Sequence, residues 1–188
     1  MELYKAWYQA IPLEVIESAK NIRLLICDID GVFSDGNIYL GNSGEELKTF
    51  NTKDGFGIKA LMNAGVEVAV ITGRESQIVN QRMKSLGVKY IYQGMEDKLT
   101  GYLQLLDDLA LTAKQVAYIG DDYPDAPVMQ EVGLAVAVQD AHPYLRKIAH
   151  ITTTLKGGRG AVRELTDLIL MAQIGEEEIT KGLTGVSG

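Results

Sequence analysis

Several features that would place this chain in other protein classes are scarce or absent. Its single cysteine, Cys27, excludes an internal disulfide and a metal site built from several thiolates. The apolar runs are short, with Leu134–Val138 and Leu168–Ala172 among the longest, whereas a membrane-spanning helix needs about 20 apolar residues. The N-terminus carries Glu2 and Lys5 and lacks the apolar core of a secretory signal. We therefore expect no membrane partner and a cytoplasmic location.

The excess of acidic over basic side chains argues against a protein that binds nucleic acid through phosphate contacts, although a local basic patch is compatible with an acidic chain. The 188 residues include 18 lysines and arginines against 25 aspartates and glutamates, which gives a net charge of −7. Hydrophobic residues make up 46% and charged residues 23%, as in ordinary globular proteins. The length fits one domain with a real core. We predict this domain over residues 1–173 and a flexible C-terminal tail over residues 174–188.

What the sequence does contain is an alternation of apolar strands and helices. The pattern predicts an α/β fold with a doubly wound parallel sheet, because apolar strands that alternate with helices are covered on both faces. Strands are predicted at Arg23–Asp28, Glu67–Thr72, Val88–Tyr92, Val116–Gly120, Leu134–Val138 and His150–Thr153. Helices are predicted at Leu13–Asn21, Asp54–Ala64, Glu75–Leu86, Asp97–Ala110, Pro124–Val132 and Ala161–Gln173. A β-hairpin is expected within residues 36–50, with strands at Asn37–Leu40 and Leu47–Phe50.

Chemically useful residues follow the strands of this predicted sheet. Ligands of such sheets bind outside the carboxyl ends of the strands. Asp28 and Asp30 follow the first strand, and Thr72, Gly73 and Arg74 follow the second. Lys98 begins a later helix, and Asp121, Asp122 and Asp125 follow the strand at Val116–Gly120. Each signal alone is weak, because solvated acids and helix caps are common. Together they supply what phosphoryl transfer needs: a carboxylate nucleophile, an acid, a hydroxyl, an ammonium and a Mg²⁺ site.

The ordered set resembles the haloacid dehalogenase-like (HAD) superfamily. Within it, the chain resembles the capless branch of phosphatases that act on 3-deoxy-D-manno-octulosonate 8-phosphate (KDO 8-phosphate) and on nine-carbon nonulosonate 9-phosphates. The motifs that carry the resemblance are Asp28–Gly36, Tyr39–Gly57, Ile71–Arg74, Val116–Asp125, Val136–Pro143 and Gly157–Glu164. The segment Gly157–Gly160 lacks the Walker lysine, so we expect tight packing at a helix entry there and not a phosphate loop.

The resemblance implies a role for each motif residue. Asp28 is expected to be the nucleophile that forms an aspartyl-phosphate, and Asp30 the acid and base. Mg²⁺ is expected to be held by the Asp28 carboxylate, the backbone carbonyl of Asp30 and Asp121. Thr72, Gly73 and Lys98 are expected to bind the phosphoryl oxygens. Asp122 and Asp125 are expected to orient the metal, the water and Lys98.

The implied substrate is a sugar-acid phosphate, whose carboxylate needs cationic donors. The resemblance implies substrate contacts, some of them made to the site of a neighbouring chain, at Asn51, Thr52, Lys53, Asp54, Gly55, Lys59, Arg74 and Arg82. Arg74 and Arg82 are eight residues apart and are predicted to share one helix face, although a solvated face is nearly as good an interpretation of Arg82. Relatives specific for nonulosonate 9-phosphates favour glutamate at the position of Arg74, so Arg74 favours the octulosonate, whose phosphatases serve lipopolysaccharide precursor synthesis.

Two further hypotheses concern the class of protein and its assembly. A receiver-like signalling domain also uses acids, threonine, lysine and Mg²⁺, but it needs no acid two residues beyond its phosphoacceptor, which counts against it here. The segments Gly31–Val66 and Gly73–Asp97 are too short to hold a cap domain. Since a lone hairpin is marginally stable, we expect a homotetramer in which neighbouring hairpins and the C-terminal tail close the site.

Overall fold

The computed structural model describes the backbone of residues 1–184 and the side chains of residues 1–180. The helices are α1 (Glu2–Trp7), α2 (Leu13–Lys20), α3 (Thr52–Asn63), α4 (Gln77–Leu86), α5 (Lys98–Leu109), α6 (Ala126–Met129), α7 (Pro143–Ile148), α8 (Ala161–Ile174) and α9 (Glu176–Thr184). The strands are β1 (Leu24–Cys27), β2 (Tyr39–Leu40), β3 (Glu46–Leu47), β4 (Glu67–Ile71), β5 (Tyr90–Tyr92), β6 (Val116–Gly120), β7 (Leu134–Ala137) and β8 (Ile151–Thr152). Short 3-10 turns lie at Ala113–Gln115 and Tyr123–Asp125.

Six of the strands form one parallel sheet in the order β5-β4-β1-β6-β7-β8. The register places Cys27 at the end of β1 beside Val70 of β4 and Ile119 of β6. Strands β2 and β3 form a separate antiparallel hairpin. The predicted parallel α/β sheet with a hairpin insertion is therefore confirmed.

The direction in which successive strands are added to the sheet reverses at β1, and this reversal places helices on both faces of the sheet. The chain passes from β1 to β4 and β5 in one direction, then returns to β6, β7 and β8 in the other. Because such crossovers are right-handed, α3 and α4 lie on one face and α5, α6 and α7 on the opposite face. Helix α8 packs against α2 and α3 and therefore completes the first layer.

The core lies between these layers and the central strands. Every residue of β1, β6 and β7 is buried, which explains their continuous apolar sequences. The largest fully buried side chains are Tyr4, Tyr102, Tyr118 and Phe33. This rigid sheet fixes the positions of the loops that follow its strands.

Several element boundaries differ from the predictions. Helix α4 begins at Gln77, so the prediction that Arg74 and Arg82 share a helix face is wrong. The physical reason is that Ser76 is extended and its amide donates to the side chain of Gln93, 2.8 Å away. The hairpin strands are only two residues each, shorter than predicted, and α1 and α7 lie in segments without a predicted helix.

The C-terminal segment also differs from the predicted irregular tail. Residues Glu176–Thr184 form α9, which packs against α8. Glu176 accepts hydrogen bonds from the amides of Leu3 (2.9 Å) and Tyr4 (3.2 Å), and Ile179 packs on the core. These contacts with the N-terminal helix give a polar segment a fixed partner. Residues 185–188 of the predicted tail lie outside the described residues.

Within the part of the chain that the structure describes, no helix combines the length and the apolar character needed to cross a membrane.

Candidate active site

The candidate active site lies at the carboxyl edge of the sheet, where the strand order reverses beside β1. Ligands of open α/β sheets bind at such a reversal. A cavity of about 390 Å³ opens there, and the loops after β1, β4, β5 and β6 contribute its walls. Its lining residues are Asp28, Asp30, Thr72, Gly73, Arg74, Met95, Glu96, Lys98, Asp121, Asp122, Pro124 and Asp125. Nine of the residues that we predicted from the sequence are thus brought together around one cavity.

Lys98 bridges two carboxylates at the base of the cavity. Its ammonium lies 2.8 Å from Oδ1 of Asp28 and 2.6 Å from Oδ1 of Asp125, and all three side chains are buried. Burial alone would lower the pKa of Lys98, but the charges of Asp28 and Asp125 raise it above its usual range. Lys98 is therefore a fixed positive charge beside the carboxylate that ends β1.

Asp125 organises the loop after β6. Its Oδ1 accepts from the Tyr118 hydroxyl (2.6 Å), and its Oδ2 accepts from the amides of Asp121 (2.9 Å) and Asp122 (3.2 Å). Asp122 in turn accepts from the amide of Tyr123 and caps the 3-10 turn. The predicted orienting role of Asp125 toward Lys98 has a direct geometric basis in these bonds.

The acids of the cavity outnumber its cations. Six carboxyl groups line it, against the two cationic side chains of Arg74 and Lys98. Burial and the neighbouring Asp125 charge raise the pKa of Asp28, while Lys98 opposes this shift. Burial and the charges of Asp28 and Asp125 raise the pKa of Asp121 as well. The cluster therefore lacks positive charge when it is fully ionised.

This donor set fits a hard divalent cation. Oxygens of Asp28, Asp121 and Asp125 lie within 4.8 Å of one another. Carboxylate oxygens are the protein ligands that Mg²⁺ prefers, and a divalent ion would supply the charge that the cluster lacks. Because both oxygens of Asp125 already have protein partners, Asp28 and Asp121 are the better ligands.

Two glycines allow the loop after β1 to pack closely against its neighbours. Gly31 has a φ of +95°, and a side chain there would overlap the Asp121 carboxylate. Gly157 lies so close to the carbonyl of Gly31 that a Cβ would overlap it. The expected tight packing of the Gly157–Gly160 segment is therefore confirmed, and it supports the backbone just after Asp30.

The loop after β4 forms the opposite wall. The amide of Thr72 donates to Tyr92 (2.9 Å), and the carbonyl of Thr72 accepts from Met95 (3.1 Å), which fixes this loop to the one after β5. The Thr72 side chain is buried at the cavity. Gly73 follows and is exposed, and a Cβ there would meet only the carbonyl oxygen of Met95, 3.9 Å away, so its backbone is accessible to a ligand. Arg74 is half exposed at the rim.

The hairpin reaches over this site within the same chain, a feature that the sequence analysis missed. Lys48, just after β3, is in contact with Oδ1 of Asp30 and lies 3.5 Å from Glu46. Glu46 also lies 3.5 Å from the guanidinium of Arg74. No local pattern indicates where a lone hairpin docks. Glu96 also lines the cavity and was not predicted, although it lies in the loop after β5 at the same edge of the sheet. It directly precedes Asp97, the cap of α5.

The remaining predicted substrate contacts lie outside the cavity wall. They are Asn51, Thr52, Lys53, Asp54, Gly55, Lys59 and Arg82. Asn51 caps α3 by accepting from the Lys53 amide (2.9 Å), and Thr52 is exposed in the first turn. Arg82 packs against Gly55, while Lys59 lines a different surface depression beside Leu86.

Asp54 is buried and hydrogen-bonded to another helix, so its carboxyl group is not accessible to a ligand. Its side chain is 0% exposed, and its Oδ1 accepts from the amide of Arg163 (2.8 Å) in the first turn of α8. Burial raises the pKa of Asp54 to about 6, although the amides of Arg163 and Gly160 oppose the shift. For Asp54 the structure thus corrects the expectation of a direct substrate contact in this chain, because the residue joins α3 to α8.

Comparison with known proteins agrees with this geometry. The family description of the haloacid dehalogenase-like hydrolases matches residues 90–165. A curated relative, 3-deoxy-D-manno-octulosonate 8-phosphate phosphatase KdsC of Yersinia pestis, is 54% identical over 180 residues, which cover 96% of this chain and 94% of the relative.

Solved structures show the same similarity. The crystal structure of the Yersinia pestis phosphatase has a TM-score of 0.89 at 56% identity and covers 91% of this chain and 92% of that one. The Moraxella catarrhalis 3-deoxy-D-manno-octulosonate 8-phosphate phosphatase, solved with a magnesium ion, a phosphate ion and a KDO molecule, has a TM-score of 0.88 at 40% identity, with coverages of 90% and 98%. The chain therefore belongs to the haloacid dehalogenase-like hydrolases and, among them, to the family of the 3-deoxy-D-manno-octulosonate 8-phosphate phosphatases.

Proposed function

We propose that this protein hydrolyses KDO 8-phosphate to KDO and inorganic phosphate through an aspartyl-phosphate intermediate. The observation that carries the proposal is the convergence of Asp28, Asp30, Thr72, Lys98 and Asp121 on one cavity. A buried carboxylate beside a fixed ammonium, with a second acid two residues later, provides a nucleophile and a proton donor for phosphoryl transfer.

In the first step, an oxygen of Asp28 attacks phosphorus, and the bond between phosphorus and the sugar oxygen breaks. Asp30 gives its proton to that departing oxygen. Thr72, the backbone of Gly73 and Lys98 hold the phosphoryl oxygens, whose negative charge they partly neutralise. The products are free KDO and phosphorylated Asp28.

In the second step, Asp30 takes a proton from a water molecule as that water attacks the phosphorus of the intermediate. The bond between Asp28 and phosphorus breaks, so Asp28 regains its carboxylate and phosphate is released. Asp30 ends the cycle protonated, as it began. Asp125 and Asp122 keep Lys98 and the acidic loop in place through the hydrogen bonds described above.

Mg²⁺ is the cofactor of this reaction. The carboxylates of Asp28 and Asp121 and the backbone carbonyl of Asp30 would hold it. When bound, the ion offsets the negative charge that the phosphate brings to an already acidic cavity.

The substrate carboxylate requires a cation at the cavity rim, and Arg74 occupies that place. The exposed predicted contacts Thr52, Lys53 and Lys59, together with the partly buried Asn51 and Arg82, lie away from this cavity, so they would act on the site of a neighbouring chain. The exposed apolar side chains of the hairpin support such an assembly, since Leu40 is 73% and Leu47 62% exposed. A homotetramer closed by hairpins and C-terminal segments is part of the proposal.

The domain acts in the cytoplasm, with α9 packed on it, and the reaction supplies KDO for lipopolysaccharide precursor synthesis. Neither nucleic acid nor membrane is a partner.

The test is a comparison of two substrates on the purified protein with Mg²⁺. We expect kcat/KM for KDO 8-phosphate to exceed that for a nonulosonate 9-phosphate by at least about tenfold, since a difference of one carbon in the substrate discriminates by about 1 to 3 kcal/mol. Arg74→Glu is expected to narrow this ratio. A higher kcat/KM on the nine-carbon substrate would assign the protein to that alternative reaction, and a phosphorylated form stable for minutes would favour a receiver-like role.

A further inference from the structure

Lys48 is a buried cation that the mechanism above does not use. Its side chain is 0% exposed, and the residue is not part of the cavity wall. A buried ammonium is costly unless carboxylates pair with it. Its partners are Oδ1 of Asp30 and Oε1 of Glu46, the latter 3.5 Å away. Because it is buried, Lys48 cannot contact a substrate in the cavity, so its action passes through Asp30.

The two oxygens of Asp30 have different surroundings. Oδ1 is in contact with the Lys48 ammonium and lies 3.4 Å from the hydroxyl of Ser34. Oδ2 has no hydrogen-bond partner among the described residues and lies 3.8 Å from Nε of Arg74. The carboxyl group is therefore held by one oxygen, and the other, which is buried beside Arg74, is left without a hydrogen bond from the described residues.

Glu46 links this arrangement to the rest of the hairpin. Its carboxylate lies 3.5 Å from Lys48 through one oxygen and 3.5 Å from Arg74 through the other. The hairpin thus places an anion between the two cations that flank Asp30. A hairpin that moves away from the site takes Lys48 with it, since Lys48 follows β3 directly.

We propose that Lys48 is a positioning residue, which holds Oδ1 of Asp30 so that Oδ2 faces the reacting oxygen, and which makes acid–base catalysis depend on the docked hairpin. This inference rests on the proposed function, in which Asp30 transfers the proton. It assigns the hairpin a direct part in the chemistry. The segments between the core strands are too short to hold a cap domain. General acid–base catalysis contributes about 10²- to 10⁴-fold in rate, so a misplaced acid forfeits part of that factor.

The test uses two substrates that need Asp30 differently. KDO 8-phosphate has an alkoxide leaving group that must be protonated, whereas p-nitrophenyl phosphate releases a phenolate that needs no proton. Hydrolysis of phosphorylated Asp28 needs Asp30 as a base with either substrate. A variant with a misplaced Asp30 should therefore form the intermediate from p-nitrophenyl phosphate faster than it hydrolyses it.

For Lys48→Met we expect kcat on KDO 8-phosphate to fall about 10- to 100-fold with KM within about threefold. On p-nitrophenyl phosphate we expect a burst of p-nitrophenol equal to the concentration of active sites. Lys48→Arg keeps the charge and is expected to restore kcat to within about tenfold of the wild type without a burst. The matched control is Lys84→Met, which removes an exposed lysine of α4 and should leave both activities unchanged.

Equal losses on both substrates without a burst, or wild-type kinetics of Lys48→Met, would overturn the inference. If Lys48→Met does not fold, the neutral and polar Lys48→Gln takes its place. The same burst is expected for Lys48→Gln, and the absence of that burst would overturn the inference. A wild-type protein that hydrolyses p-nitrophenyl phosphate but not KDO 8-phosphate would refute the proposed substrate. The burst would still test Lys48 in that case, because it does not involve the sugar phosphate.

Discussion

The ammonium of Lys98, in the first turn of α5, lies 2.8 Å from the carboxylate of Asp28 at the end of β1. This pair is buried, and Asp125 completes it from the loop after β6. Lysine at a helix start is unfavourable by itself, because it opposes the helix dipole. Two buried carboxylates compensate for that position here, and they tie the start of α5 to the loops after β1 and β6 through one buried positive charge.

Removal of this charge should affect both stability and activity. Lys98→Met leaves Asp28 and Asp125 buried with no ammonium between them. We expect a loss of about 3 kcal/mol in the free energy of unfolding without metal, measured by urea denaturation in EDTA. Phosphate release should fall at least about 100-fold. The exposed control, Lys84→Met, should change neither quantity, and an unaltered denaturation midpoint for Lys98→Met would contradict the account.

Removing the charge of Asp121 from the acidic cluster should stabilise the apoprotein and weaken its binding of Mg²⁺. Burial and like charges raise the pKa of Asp121, so its ionised form destabilises the folded apoprotein. Asp121→Asn should raise the melting temperature in EDTA, by an amount equivalent to about 1 kcal/mol. It should also remove most of the stabilisation that millimolar Mg²⁺ gives to the wild type.

The measurement is thermal unfolding of both proteins with and without Mg²⁺. Asp108→Asn, an exposed change on α5, provides the control and should behave as the wild type. Retention of the full Mg²⁺ effect by Asp121→Asn would show that the ion binds elsewhere.

Asp54 should give the protein a pH-dependent stability. Its pKa is raised to about 6 in the folded state, against about 3.9 for an unfolded chain. At pH values between these two pKa values, Asp54 is protonated in the folded state and ionised in the unfolded chain. The free energy of unfolding therefore falls as pH rises, and the loss is complete above about pH 6. Asp54→Asn cannot ionise. Relative to this variant, the wild type should lose about 1 to 3 kcal/mol between about pH 4 and about pH 7.

Urea denaturation at several pH values in EDTA measures this difference. The exposed substitution Asp108→Asn should show no comparable trend relative to the wild type. A constant difference between wild type and Asp54→Asn over the whole range would contradict the role assigned to burial.

Gly157 should be intolerant of any side chain. A Cβ at this position overlaps the carbonyl oxygen of Gly31, and the obstacle is backbone, so it cannot rotate away. Gly157→Ala should cost about 1 to 3 kcal/mol in stability, as overpacking does, and should lower kcat through the displaced loop after Asp30. Lys156→Ala, the exposed neighbouring position, is the control. A wild-type melting temperature and kcat for Gly157→Ala would refute this packing argument.

The parts of the site that could be predicted from the sequence are those that the parallel sheet fixes. Asp28, Thr72, Lys98 and Asp121 each follow a strand or begin a helix at the same edge, and parallel strands bring such positions together. Their place in the chain therefore determines their place in space. The same rule applies to Glu96, which was overlooked.

The parts that could not be predicted depend on tertiary contacts. Lys48 reaches Asp30 because a hairpin with two-residue strands folds back over β1, and no local periodicity specifies that docking. Helix α9 forms in a polar segment because Glu176 meets the amides of α1. Helix α4 starts later than predicted because Gln93, on another loop, accepts from the amide of Ser76. In each case a distant residue decides the local structure.

The most direct test of the central claim is phosphate release from KDO 8-phosphate in Mg²⁺ by the wild type and by Asp28→Asn. Asparagine keeps the size of the side chain but removes the nucleophilic oxygen anion and a negative charge from a crowded acidic cluster. We predict rapid release by the wild type, a loss of at least about 1000-fold for Asp28→Asn, and an unchanged or higher melting temperature of that variant in EDTA. Phosphate release by Asp28→Asn at the wild-type rate would contradict the account.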